Sequence, residues 1–192
     1  MSGARLPLIG ADGGDETVAE VLAGFAREGR EPIALYKVLA NSPGMLAAMA
    51  GVGRGLRFAE ATPRELRELM VLRVAQLTGS DYEWSHHKAM AQKLEIDPDK
   101  LAELASWRES ERFDERERAV LACAEEVHEV ALSAATFAEL QRLFSAEAII
   151  EIVLTAAHYQ SVSRVIQGLG VEVEPDYKPY LANEEEKLEW SK

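Results

Sequence analysis

The feature that most limits what this chain can fold into is helix periodicity that continues, punctuated by caps and glycine stops, from Asp15 to Gly170. Thr17 to Arg27 puts Val18, Val21, Leu22 and Phe25 on one stripe, at the three- and four-residue spacing of an amphipathic helix. Pro32 suits the start of a second helix carrying Ile33, Leu35, Tyr36 and Leu39. Asn41-Ser42-Pro43-Gly44 reads as a turn, and a helix over 44–58 follows, weakened by Gly51, Gly53 and Gly55. Thr62-Pro63-Arg64-Glu65 predicts a helix start, with Thr62 as cap and Glu65 completing a capping box. That helix runs to Leu77 and stops at Thr78-Gly79-Ser80, and Asp81 is expected to cap the next, which reaches about Leu94. Asp97-Pro98 opens a short helix through Trp107, Asp114 caps another to about Val130, and Thr136 to Phe144 follows. Ser145 caps a long apolar helix that Gly170 ends.

No stretch alternates with period two, so the expected class is all-α, a helical bundle. Residues 1–14, with Gly3, Gly10, Gly13 and Gly14, read as a loose leader, 15–173 as one helical domain, and 174–192 as a polar acidic tail or arm. Glu68 and Glu151 each stand six places after a candidate cap, Thr62 and Ser145, inside apolar runs. A weak duplication of a helix hairpin is one reading of this spacing, and chance is the other.

Charge and cysteine content narrow the function classes. With 21 basic against 33 acidic residues the chain carries −12, which argues against binding a phosphate backbone. No apolar run approaches membrane-spanning length. A single cysteine excludes an intramolecular disulfide, an all-cysteine metal site and a dithiol redox centre within one chain. Together with the lack of a signal peptide, it suggests a reducing, cytoplasmic setting.

The chemistry-bearing residues lie on the helix over 82–94. At 100° per residue, Glu83 and His87 fall in the apolar sector with Met90, Ala91 and Leu94, while His86 sits at its margin. A buried carboxylate and imidazole need a partner or a task. The plain alternative is a structural Glu–His hydrogen bond. Glu68 stands eleven residues before Gly79 and His87 eight after it. In an antiparallel hairpin the two therefore come within roughly 5 Å in height. Glu68, Glu83 and His87 can then converge in one dry pocket with the makings of general acid–base catalysis. One carboxyl pKa is expected to rise through like-charge proximity, and that of the histidine to rise beside a carboxylate.

The stretch Glu68-Leu69-Met70-Val71-Leu72-Arg73-Val74-Ala75, followed by Ser80-Asp81-Tyr82-Glu83-Trp84-Ser85-His86-His87, resembles the carboxymuconolactone decarboxylase family, which includes the alkylhydroperoxidase D-like proteins. Phe113-Asp114-Glu115-Arg116-Glu117-Arg118-Ala119, Phe144-Ser145, Glu151 and Tyr159 fit as well, so the resemblance spans roughly residues 30 to 173. It implies an all-helical subunit that assembles as a homo-trimer or homo-hexamer and acts on a small-molecule substrate. In the peroxidase branch a glutamate, a Cys-x-x-Cys pair and a histidine stand at set spacing. Here Glu68 and His87 take the glutamate and histidine positions, while Ser80 and Glu83 replace the two cysteines. Neither can form a disulfide. The resemblance therefore implies a thiol-free member, without cofactor or metal, in which His87 transfers a proton, Glu68 orients it and Glu83 tunes it. Tyr82, Trp84, Ser80, His86 and Arg73 are the candidate substrate-contacting residues, with Tyr82 and Trp84 shaping the pocket mouth or an interface.

Other readings stay open at this level. Glu83-x-x-His86 and Glu125-x-x-His128, with Glu68 and Glu151, are the inventory of a di-iron bundle. The chain could also be a non-catalytic oligomeric or binding protein, its tail (Tyr177, Tyr180, Trp190) packing on a neighbouring subunit or remaining disordered. Arg73 can meet a substrate carboxylate or pair with an acidic neighbour. His158 reads as a structural or subunit-contact residue, Cys123 as a buried filler, and Tyr36, Phe58, Trp107 and Phe137 as core. Gly51-Val52-Gly53-Arg54-Gly55 lacks the strand and the Lys-Ser/Thr of a phosphate loop.

Overall fold

In the computed structural model, which describes residues 4–190, ten α-helices follow one another with no strand among the described residues. They are α1 (Glu16–Arg27), α2 (Ala34–Leu39), α3 (Pro43–Arg57), α4 (Arg64–Thr78), α5 (Asp81–Lys93), α6 (Pro98–Ala102), α7 (Glu115–His128), α8 (Ala134–Leu143), α9 (Ala146–Leu169) and α10 (Glu184–Trp190). Short 3₁₀ turns occupy Leu104–Ser106 and Pro175–Tyr180.

Helix α4 is the axis. Every residue from Leu66 to Gln76 is buried, because α5, α7 and α9 all pack against it. Its apolar positions split between two cores. Leu69 and Leu72 join Trp84, Leu104, Trp107 and Leu121 on one side. Met70 and Val74 join Val120, Cys123, Leu140 and Ile152 on the other. A third core sets α2 against α5 and α9 through Leu35, Val38, Tyr82 and Val162, and a fourth joins α1 to α3 through Val18, Leu22 and Leu46.

The helix ends mostly follow local chemistry. Asp15, Ser133 and Ser145 accept from the backbone N–H three residues on, and Asp114 and Glu117 form a reciprocal capping box. Gly79 and Gly170 end α4 and α9 in the left-handed region, each at φ +62°. Two expected caps are corrected. Ser80 caps α5, accepting from Glu83 N–H, and Asp81 is its first residue. The turn at Gly79 delivers Ser80, one residue earlier than expected, into the extended capping conformation.

Thr62 does not cap α4. The capping position is Pro63, and no side chain fills it. Instead the N–H groups of Ala61 and Thr62 donate to the Glu151 carboxylate of α9 at 3.3 and 2.7 Å. A tertiary carboxylate thus satisfies the donors before α4. Glu151 does not mirror Glu68, despite the matching sequence offset. The second helix begins at Ala34, two residues after Pro32.

The leader carries no helix over its described part, but it is tied down: Arg5 N–H donates to Leu169 O, and Ile9 N–H to Lys37 O. Gly3 lies outside the described residues. The segment expected as a polar tail folds back on its own chain through residue 190. Ala182 is buried, Trp190 packs on Trp84 with ring centroids 4.9 Å apart, and Lys187 pairs with Asp81. A few apolar and aromatic side chains and the Glu174 carboxylate, bonded to Ala34 N–H, the Tyr82 hydroxyl and His86, dock it. Residues 191–192 lie outside the described residues. No helix among the described residues is long and apolar enough to cross a membrane.

Candidate active site

The α4–α5 hairpin brings Glu68 and His87 together as the register predicts. His87 Nδ1 lies 2.6 Å from Glu68 Oε2, and Nε2 lies 3.3 Å from Glu83 Oε2 one turn back on α5. All three side chains are buried. Arg64, one turn before Glu68, donates from Nε to Glu68 Oε1 at 2.6 Å. Glu68 therefore uses one oxygen for a guanidinium and the other for the imidazole.

The electrostatics follow from this pairing. Burial disfavours the charged imidazole, but the Glu68 charge and the hydrogen bonds of Glu68 and Glu83 overcome it and raise the His87 pKa to about 9. Glu68 shows the reverse balance. Burial pushes its pKa up, yet His87 and Arg64 hold it below the usual carboxylate range. The expected rise of a carboxyl pKa is therefore corrected for Glu68, because two cations face it. At neutral pH the site holds an imidazolium against ionised Glu68.

These residues face a cavity of about 330 Å³, at the small end of ligand pockets. Its walls come from α1 to α5 and from α9. Tyr159 meets His87 edge-on at 4.9 Å. Its hydroxyl is kept protonated, since burial and the nearby Glu83 and Glu68 charges push its pKa well up. Tyr36 and His158 also line the wall, where sequence reasoning assigned them to core and to structure. Burial lowers the His158 pKa, so its ring is neutral at neutral pH.

Of the candidate substrate-contacting residues, Tyr82 and His86 line the cavity, and Ser80, Trp84 and Arg73 do not. His86 is sandwiched between Tyr82 and Tyr177, at centroid distances of 4.3 and 3.6 Å. Its Nε2 lies 2.8 Å from Glu174 Oε2. Glu174 also accepts from Ala34 N–H and the Tyr82 hydroxyl. Burial opposes ionisation of Glu174, but the His86 and backbone hydrogen bonds bring its pKa down to about 2. The C-terminal segment thus braces the cavity wall, which sequence polarity gave no sign of.

Three of these side chains are placed away from the cavity, Arg73 by the acidic pairing that was one of its two expected roles. Trp84 faces the core and Trp190, because its position on α5 points away from Glu83 and His87. Ser80 is spent as the α5 cap. Arg73 points to α7, where Glu125 accepts from it at 2.7–2.8 Å, and its Nη1 donates to Gln76. Glu125 also takes Trp107 Nε1–H and Arg108, and His128 sits on Gln160. Glu125, His128 and Glu151 are thus engaged away from Glu68 and Glu83, so the di-iron inventory does not converge. Cys123 is fully buried, and burial pushes its thiol up to about 12. Trp107 is core as expected, but Phe58 and Phe137 are 53% and 40% exposed.

Comparison with known proteins agrees with this architecture. Residues 43–126 match the model of the Carboxymuconolactone decarboxylase family, bearing out the resemblance over that stretch. No curated protein matches the chain. Among solved structures, a cysteine-to-alanine variant of the debrominase Bmp8, in complex with 2,3,4-tribromopyrrole, superposes with a TM-score of 0.78 at 23% identity, covering 94% of this chain and 96% of that one. An alkylhydroperoxidase AhpD core protein from Ralstonia eutropha JMP134, described as an uncharacterized peroxidase-related protein, gives 0.76 at 17% identity, covering 92% and 95%. A peroxidase-related protein from Silicibacter sp. TM1040 gives 0.75 at 20% identity, with the same coverage. At these identities the likeness is one of fold.

Proposed function

From the match of residues 43–126 to the carboxymuconolactone decarboxylase family model, we propose that this chain performs acid–base chemistry on a small organic acid, lactone or related carbonyl compound. The observation that carries the reading is the buried His87, bonded on one side to Glu68 and on the other to Glu83, at the wall of an internal cavity. An imidazolium with a pKa of about 9 is a proton donor at neutral pH. In a decarboxylation, the substrate's C–C bond breaks, carbon dioxide leaves, and the electron pair stays on the α-carbon as an enolate. His87 Nε2–H gives its proton to that carbon, and water restores the ring. Glu68 holds the ring charged and oriented, and Glu83 lies beside the transferring nitrogen to relay the proton.

Thiol-dependent peroxide reduction by the family route is not part of this reading, because Ser80 and Glu83 stand at the two thiol positions and Cys123 is buried in another core. A panel of carboxylated lactones and β-keto acids, followed by carbon dioxide release, tests it. His87→Gln is expected to abolish turnover with helical content unchanged, and full activity in that variant overturns the assignment.

A second reading, a non-catalytic homo-oligomer, draws on Met45 and Val52 of α3 and Ile150 and Leu154 of α9. These are 46–61% exposed on helices that touch one another, and exposed apolar patches of this kind suit self-association. Self-association is also compatible with the acid–base reading. Sedimentation would give a trimer or hexamer, and a monomer at micromolar concentration would count against assembly.

A further inference from the structure

The chain as a whole is strongly acidic, yet its cavity is not. The wall carries six arginines (Arg27, Arg30, Arg54, Arg57, Arg64 and Arg67) against four glutamates, Glu20, Glu28, Glu68 and Glu83. Overall the ratio is 21 basic to 33 acidic. Arg27 is exposed to solvent, and the contacts decide which of the other five is uncommitted. Arg30 and Arg54 both pair with Glu28, and Arg64 pairs with Glu68. Arg67 donates to the carbonyls of Ala59, Thr62 and Arg57.

Arg57 differs. It is half-buried at the end of α3, and its one side-chain hydrogen bond among the described residues is Nη1 to the Met90 sulfur at 3.9 Å. It makes no ion pair among the described residues. A thioether is a weak acceptor, so most of the guanidinium's donors are unused. Burial and the neighbouring charges of Arg30 and Arg64 act against its own charge, with the Glu28 carboxylate in support. Such a cation favours an incoming anion. Met90 also accepts from Arg64 Nη2 at 3.3 Å and stands one turn beyond His87 on α5. The uncommitted guanidinium and His87 line the same cavity. The rest of the wall is apolar and aromatic, with Phe25, Leu35, Tyr36, Leu56, Val71 and Tyr159.

We propose that Arg57 is a specificity-determining residue that anchors a carboxylate of a small ring compound in this cavity, flanked by Arg64 and Arg30. The proposal rests on the cavity being the substrate site, as read above. The anchored carboxylate is a handle and not the group that leaves, because a guanidinium stabilises the ionised ground state and would oppose its loss. The reacting carbon then lies toward His87.

Binding can be tested apart from turnover. Benzoate and its neutral isostere benzamide are titrated calorimetrically into the wild-type protein and into the Arg57→Gln, Arg57→Lys and His87→Gln variants at pH 7.5. Benzoate is expected to bind the wild type and His87→Gln. Arg57→Gln should weaken it by about ten- to hundredfold, Arg57→Lys by less, and benzamide should bind no better than benzoate does to Arg57→Gln. Equal benzoate affinity in wild type and Arg57→Gln, benzamide binding as tightly as benzoate, or no benzoate binding to the wild type would each overturn it. Loss of turnover chemistry in His87→Gln bears only on the acid–base reading, since that variant keeps the anchor.

Discussion

Glu68→Gln is the sharpest perturbation of the site, because it removes the charge that holds His87 protonated while nearly preserving shape. The His87 pKa stands at about 9 against an ordinary 6.5. At 1.36 kcal/mol for each pKa unit, this corresponds to about 3 kcal/mol favouring the folded, protonated state. The sign follows from the raised value. Below pH 6.5 the ring is charged in folded and unfolded chains alike, and the stabilisation is complete. It declines as pH rises and is lost above about 9.

Glu68 sees the same interaction from the other side, so the two are not added. Its depressed pKa makes its contribution present above 4.5 and lost as pH falls through its lower folded value. In the variant only Glu83 opposes burial, so the His87 pKa should fall clearly below its wild-type value. Denaturant unfolding should find the variant less stable than wild type at pH 6 by up to about 3 kcal/mol, the part owed to Glu83 being kept. At pH 10 only a smaller residue from the lost Arg64 contact should remain. Proton NMR of the His87 ring checks the titration directly. A wild-type His87 titrating at or below 6.5, or a stability gap equal at pH 6 and pH 10, would refute the reasoning.

Two further outcomes follow from contacts outside the reacting group. Glu174→Ala takes the acceptor from Ala34 N–H, the Tyr82 hydroxyl and His86, so thermal unfolding at pH 7 should register a loss of about 2 kcal/mol; since the Glu174 pKa is depressed to about 2, the gap to wild type should close as pH falls from 4.5 toward 2. Cys123, buried and with its thiol pushed up to about 12, should react with a disulfide reagent at neutral pH only after denaturant is added, and rapid labelling of the native protein would contradict its core placement.

What could be read from the residues alone was whatever is governed within about a dozen residues. The all-α class, the caps at Asp114 and Ser145 and the stops at Gly79 and Gly170 are local backbone chemistry. The Glu68–His87 pairing was legible for the same reason. One tight turn joins the two helices, so counting residues outward from Gly79 sets their relative height. The absence of redox thiols at Ser80 and Glu83 is likewise written in the chain.

Tertiary structure decided the rest, through contacts between residues far apart in sequence. The choice of Arg73's partner was settled by α7 supplying Glu125, and the donors ahead of α4 were claimed by Glu151 from α9. The polar C-terminal segment became part of the wall because Glu174 and Tyr177 meet His86 across about ninety residues. Arg57 and Tyr36 gained their place only because α2 and α3 share one cavity with the α4–α5 hairpin. Periodicity identifies which face of a helix is buried. Which partners that face meets, and so whether a buried charge is paired, capped or left open to a ligand, depends on how the helices are stacked.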